Sequence, residues 1–259
     1  MPIPQTNHKE IMGKLIARID SNTYLSEFEF ASIKRDIDRL PNPSVQETLY
    51  ALAYAAFGKV ENAKKHFEAA ITISPDKVHI QNYRTYLKKL HEYLKTIELT
   101  YKYADKLEDP HLTKEAYEIA FCFERNLLKA EAYLNKYLKY LSKDERLETH
   151  NAASYSFQLI REQLASVDLD EKYLPIISTI AHQVASEYKI DLSINNIYVH
   201  EGLCSLEFEA EAGTFSITEQ QLSDANYELA MRIAGNEFIY NQPVTAFFRF
   251  TNHPIETGF

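Results

Sequence analysis

The sequence predicts a mainly α chain, helix after helix, followed by a small α+β domain with an antiparallel sheet. Three observations carry that prediction. Apolar residues recur at the three-and-four spacing of one helical face from the N-terminal region to Ala165. After Tyr188 the period shifts from 3.6 to 2, the signature of strands with one buried face. The charge balance shifts there too: positions 191–259 hold ten acids, two arginines and no lysine, a net −8, while positions 1–190 carry 26 bases against 27 acids. The expected division is a helical domain over 1–168 and an acidic α+β domain over 169–259. A chain of 259 residues admits one large domain or two ordinary ones and buries a core without disulfides or metals.

Taken in order, Ile11, Met12, Leu15, Ile16 and Ile19 form the stripe of a first helix. Leu25, Phe28, Ile33, Ile37 and Leu40 form that of a second, with Ser21-Asn22-Thr23 between them. Pro41-Asn42-Pro43 is a firm break, because each proline removes an N–H and constrains the residue before it. Ser44 is the expected N-cap of the third helix, with Glu47 three positions on as in a capping box.

Tyr50, Ala51, Tyr54, Gly58, Ala63, Phe67, Ala70 and Pro75 then form the most specific pattern in the chain. Small Ala51 and Ala63 let two helices cross closely, while Tyr54 and Phe67 fill the gaps beside them. Gly58 permits the tight turn and Pro75 stops the second helix. This pattern resembles a tetratricopeptide repeat, in which each unit folds as two antiparallel helices. One such unit cannot bury its own face, so neighbours are required. Phe121, Ala130 and Leu134 restate the pattern, with Ala130 close to two repeat lengths beyond Ala63. Ile97, Tyr101 and Ala104 fall midway, after a first-helix stripe of Tyr83, Tyr86, Leu87 and Leu90 that lacks the turn glycine. The resemblance covers roughly positions 44–143 and implies a helix-turn-helix repeat solenoid with one good unit (44–76) and two divergent ones. It also implies protein–protein interaction, as a scaffold or adaptor. The family's carboxylate-clamping mode is not implied, since the concave positions read Thr48, Leu52 and Ala55.

Leu147, Ala152, Tyr155, Leu159 and Leu164 continue the helical pattern to Ala165, and the stretch Ser166 to Asp170 is the expected joint between domains. Leu174, Ile177, Ile180, Ala181, Val184 and Ala185 mark a long helix. Strands are expected over Ile194 to His200 and through Cys204, Leu206 and Phe208, with Glu201-Gly202 as the hairpin turn. Gly213 breaks the second strand and a short apolar stretch, Phe215-Ser216-Ile217, follows. Thr218 caps a helix to about Ala234, with Leu222, Tyr227, Leu229, Ala230 and Ile233 as its expected face. Val244 to Phe250 is the final strand.

The longest uncharged apolar runs fall short of the ~18–20 residues a membrane span needs. The opening residues lack the apolar core of a secretory signal, and Cys122 and Cys204 form no C-x-x-C pair. These features predict a cytoplasmic protein of bacterial type with no membrane contact. A −8 charge over so short a stretch repels phosphates, so no direct nucleic-acid binding is expected and a basic protein partner is favoured. Phosphate-binding loops, H-E-x-x-H and G-x-S-x-G are absent. No catalytic residue, cofactor or metal is assigned, and a non-catalytic role is expected.

The eighteen tyrosines cluster with lysines Lys88, Lys89, Lys95, Lys102 and Lys106, and tyrosine is favoured at interfaces. Candidate partner-binding residues are Tyr83, Tyr86, Lys89, Tyr93 and Tyr101 on the helices, with Glu207, Glu209 and Glu211 along one strand face as a docking surface for Lys and Arg. Two further readings stand beside the interaction module. One is an immunity or antitoxin protein whose acidic half masks a basic toxin. The other is a sensor or enzyme holding a small ligand between Tyr198, His200, Glu207 and Arg249.

Overall fold

The computed structural model describes residues 8–210 and 217–250. The chain is mainly helical with a small sheet near its C-terminal end, and it divides into two compact units at Tyr86/Leu87. The joint expected at 168/169 therefore falls inside the second unit. One core cluster there runs from Ala120 on the helices to Phe248 on the last strand.

The first unit contains α1 (His8–Asp20), α2 (Glu27–Ile37), α3 (Pro43–Ala56), α4 (Val60–Ile73) and most of α5 (Lys77–Lys89). Helices α3 and α4 pack against each other, and Ala51 of α3 and Ala63, Phe67 and Ala70 of α4 are fully buried. The N-cap of α3 is Asn42 rather than Ser44: its Oδ1 accepts from the amides of Ser44 and Val45, with Pro43 at the first helical position. His79 ties α5 to α3, with Nδ1 2.7 Å from the Thr48 hydroxyl and Nε2 3.0 Å from that of Ser44.

The second unit takes in α6 (Tyr93–Leu107), α7 (Pro110–Glu118) with a π-helical turn at Ile119–Phe123, α8 (Leu127–Tyr137), α9 (Lys143–Ala165) and α10 (Leu174–Tyr188). β1 (Leu192–His200), β2 (Leu203–Ala210), α11 (Glu219–Ala234) and β3 (Val244–Phe250) complete it. From α2 to α9 the helices start at Glu27, Pro43, Val60, Lys77, Tyr93, Pro110, Leu127 and Lys143. The step between starts is nearly constant, and it is close to half the length of a tetratricopeptide unit.

Three of the turns between consecutive helices share one backbone device. Gly58, His91 and Arg125 each stand two positions before the start of the next helix, and each has positive φ, at 77°, 58° and 52°. The residue after each closes the turn by donating its amide back to the preceding helix: Lys59 to Tyr54 O, Glu92 to Leu87 O and Asn126 to Ala120 O. The third closure reaches one position farther back than the other two, because the π-helical turn inserts one. His91 thus occupies the place where the sequence lacks the turn glycine, and Arg125 holds the corresponding place before α8. A side chain with a Cβ costs about 1–2 kcal/mol in that conformation.

The sheet order is β1-β2-β3. β1 and β2 form the expected antiparallel hairpin, with Glu201 and Gly202 both at positive φ in the turn. β3, however, runs parallel to β2, so the sheet is mixed and not antiparallel throughout. The cause is connectivity: α11 carries the chain from β2 back along the sheet before β3 begins, as a parallel neighbour requires. Cys204, Leu206, Phe208, Val244, Ala246 and Phe248 bury one sheet face against Leu222, Ala225, Leu229 and Ile233 of α11 and against α10. Asn226 covers part of the β3 edge, its side chain accepting from Phe248 N at 2.6 Å and donating to Phe248 O at 2.9 Å.

Candidate partner-binding surface

Of the residues predicted to meet a partner, Tyr83 and Tyr86 are core. Tyr83 stacks on Phe67 with centroids 5.2 Å apart and donates its hydroxyl to Glu68, while Tyr86 lies against the same Phe67 ring at 5.5 Å. Lys89 is half-buried at the end of α5.

Tyr93 is committed to the strand that follows α10. Its hydroxyl donates to Ile190 O at 2.6 Å and accepts from Leu192 N at 3.3 Å. Beside it, His91 Nδ1 stands 3.2 Å from Asp191 Oδ1 and 3.3 Å from the Tyr93 hydroxyl. Farther along β1, the bulge between Leu192 and Asn195 turns Asn195 to the core face, where it pairs in register with Phe208. There the Arg125 guanidinium donates to both the side-chain and backbone oxygens of Asn195, and Asn195 Nδ2 donates to Phe123 O at 2.9 Å. Arg125 is 8% exposed, and no carboxylate among the described residues pairs with it; the Phe121 ring lies 5.6 Å from its guanidinium carbon. Burial pulls its pKa below the usual arginine value.

Tyr101 belongs to a network closed on itself. Its hydroxyl donates to Glu124, its ring stacks on Tyr133 at 5.1 Å, and Lys129 Nζ sits 4.3 Å above it while pairing with Glu124. Tyr133 donates to Asp105, which Lys136 also pairs at 2.7 Å. Burial and the neighbouring carboxylates push the Tyr101 and Tyr133 hydroxyls well above the usual phenol range. This network joins α6 to α8 through Lys129 and Lys136, not through the lysines read from the sequence, of which Lys102 and Lys106 lie over the Tyr103 ring at 5.3 and 5.8 Å.

On the outer sheet face Glu207 is buried, against the expectation that alternation leaves it in water. β2 is the central strand, and Asn196 and Phe247 flank Glu207 in register from both sides. Arg249 Nε stands 2.7 Å from Glu207 Oε1, an ion pair outside hydrogen-bond alignment, and its other end reaches Glu209 at 3.5 Å. Asn196 Nδ2 also donates to Glu209, which is half-buried. Glu211 lies outside the described residues. Tyr198 and His200 are exposed at the hairpin end of this face.

Two surfaces have no counterpart among the sequence-based expectations. A cleft of about 700 Å³ lies between α1 and α2 over Leu15, Leu25, Phe28 and Ile33, with the Arg18–Glu29 pair (2.8 Å) on its wall. The outer side of α11 exposes Tyr227 and Met231, followed by Phe238 and Tyr240. The expected inward face of that helix included Tyr227 and Ala230, and both are exposed instead, because Leu222, Ala225, Leu229 and Ile233 set the inward stripe. The spacing of those four residues carries that information in the sequence itself.

Among the described residues no group of three His, Cys, Asp or Glu side chains is placed to hold a metal ion, and no helix is long and apolar enough to cross a membrane. Comparison with protein-family models, curated proteins and solved structures finds no match to this chain.

Proposed function

We propose that this chain is a non-catalytic protein-interaction module, in which helix pairs of tetratricopeptide type carry an acidic α+β portion that a basic protein partner contacts. The observation that carries the reading is the near-constant step between helix starts, with a left-handed turn residue recurring at Gly58, His91 and Arg125. Scaffolds of repeated helix pairs use their sequence for neighbour contacts and present surfaces rather than clefts with convergent titratable groups. The −8 charge over positions 191–259 supports a basic partner and favours an immunity or antitoxin role as the narrower form of the same reading.

Affinity capture with the full chain from a native cell extract tests this. The expected result is a basic protein recovered in stoichiometric amount and released as salt rises. Recovery of no protein, together with a thermal shift on a panel of metals and small ligands, overturns it in favour of a sensor or enzyme.

A further inference from the structure

Helix α11 is amphipathic in its first half and apolar on two opposite sides in its second. Leu229 and Ile233 point into the core, yet Tyr227, Ala230, Met231 and Ala234 occupy the other side at the spacing of one helical stripe. Phe238 and Tyr240 come next in the chain, in the turn after the helix end. Tyr227, Met231, Phe238 and Tyr240 are 68%, 54%, 65% and 63% exposed. Aromatic and methionine side chains are enriched where protein interfaces form.

The rim of this face is acidic. Asp224 lies one turn before Tyr227 and Glu237 adjoins Phe238, while Glu228 of the helix and Glu187 of α10 stand around Arg232. The cation on this helix, Arg232, is held by Glu187 at 2.6 and 2.9 Å and by Glu228 at 2.7 Å. Asp224 and Glu237 have no cation partner among the described residues. A second copy of the chain docked face to face would bring acids against acids, and a nucleic acid would bring phosphates.

We infer that the outer face of α11 docks a basic segment of another protein, an apolar side chain seating between Tyr227 and Met231 while Lys or Arg side chains on either side meet Asp224 and Glu237. This inference rests on the interaction-module reading and names the place and chemistry of contact.

The test uses the full chain with labelled methionine methyls and backbone amides. It is titrated with an amphipathic peptide of arginine and leucine and with its glutamate-and-leucine counterpart. The expected result is shifts at Met231, Tyr227 and Phe238 with the arginine peptide alone, fading as salt is raised. The Tyr227→Ser/Met231→Ser variant, altered only at exposed positions, is expected to bind at least about tenfold more weakly with unchanged circular dichroism. Equal binding of the glutamate peptide, or arginine-peptide binding unchanged in the variant, overturns the inference. So does concentration-dependent self-association that the variant abolishes, which would make the occupant a second copy. A partner captured equally by wild type and variant refutes this surface and leaves the module reading standing; capture of nothing by either, together with a thermal shift on metals or small ligands, removes the module reading itself.

Discussion

Arg125 and Asn195 meet in the core of the second unit and satisfy each other there, although 70 positions separate them in the chain. The pairing joins an interhelical turn to a strand bulge, two backbone irregularities that each look unfavourable alone. Arg125 sits in a left-handed conformation at the end of a π-helical turn, and Asn195 is polar on a core face. Together they satisfy two guanidinium donors, an amide and two carbonyls away from water. Asn195→Ala removes the side-chain acceptor of a buried cation and is expected to destabilise the second unit by about 3 kcal/mol. Asn195→Asp keeps an acceptor opposite the guanidinium and is expected to lose less. Urea unfolding of both variants measures the difference.

The turn residues offer a second comparison. Gly58→Ala places a Cβ at φ +77° and 2.9 Å from the Tyr24 ring. Tyr24 is exposed and swings away, so the expected loss is the conformational cost alone, about 1 kcal/mol. At Arg125 the reverse change, Arg125→Gly, relieves the same strain but strips Asn195 of its partner, and a net loss of about 2 kcal/mol is expected. His91→Gly relieves the same strain and gives up the contacts with Asp191 and the Tyr93 hydroxyl, and is expected to change stability by less than about 1 kcal/mol. Thermal unfolding of the three variants checks that order.

His182 predicts a pH dependence. It is enclosed by the rings of Tyr93, Phe123 and Phe208, and burial pulls its pKa down to about 4 from the ordinary 6.5. The unfolded chain therefore binds this proton first. The stabilisation is complete above pH 6.5 and is lost as pH falls toward 4, a change of up to about 3 kcal/mol. Glu187 and Asp170, held below the usual carboxylate range by Arg232 and Lys172, add their own losses only at lower pH. His182→Phe is expected to flatten the stability profile between pH 6.5 and 5, as measured by denaturant midpoints across that range.

The helices are legible in the sequence because their signals are local: stripes at helical spacing, Pro43 and Pro110 at helix starts, Thr218 with Gln221 as a capping box. The Glu201-Gly202 hairpin is legible for the same reason. The parallel pairing of β3 is readable too, since a strand, a helix and a strand in succession is the order of a crossover unit. The burial of Glu207 is not, because alternation along one strand cannot say that both neighbours cover its second face. Nor is the fate of Tyr93, Tyr101 and Arg125, whose partners lie far along the chain, at Ile190, Glu124 and Asn195. A contact that distant leaves no periodic trace in the sequence.

Cutting the chain before Asp191 to remove the acidic stretch is expected to fail as a way of isolating a helical half. The core of the second unit includes Cys204, Leu206, Phe208 and Phe248 together with Ala120, Leu134 and Phe157. Removing the strands exposes that apolar surface and leaves Arg125 without Asn195. The truncated chain is expected to bind a hydrophobic dye, with 87–190 losing its cooperative transition while the first unit retains its own.

In the second unit the helices and the acidic sheet form one folded body, with an interhelical turn and a strand bulge tied together at Arg125 and Asn195. Native-state hydrogen exchange on the full chain tests this most directly. The amides of β1 and β2, of α8 and of α10 are predicted to open together, with one free energy and one dependence on denaturant. Strand amides that open well below those of α8, as an independent and weaker unit, would contradict it.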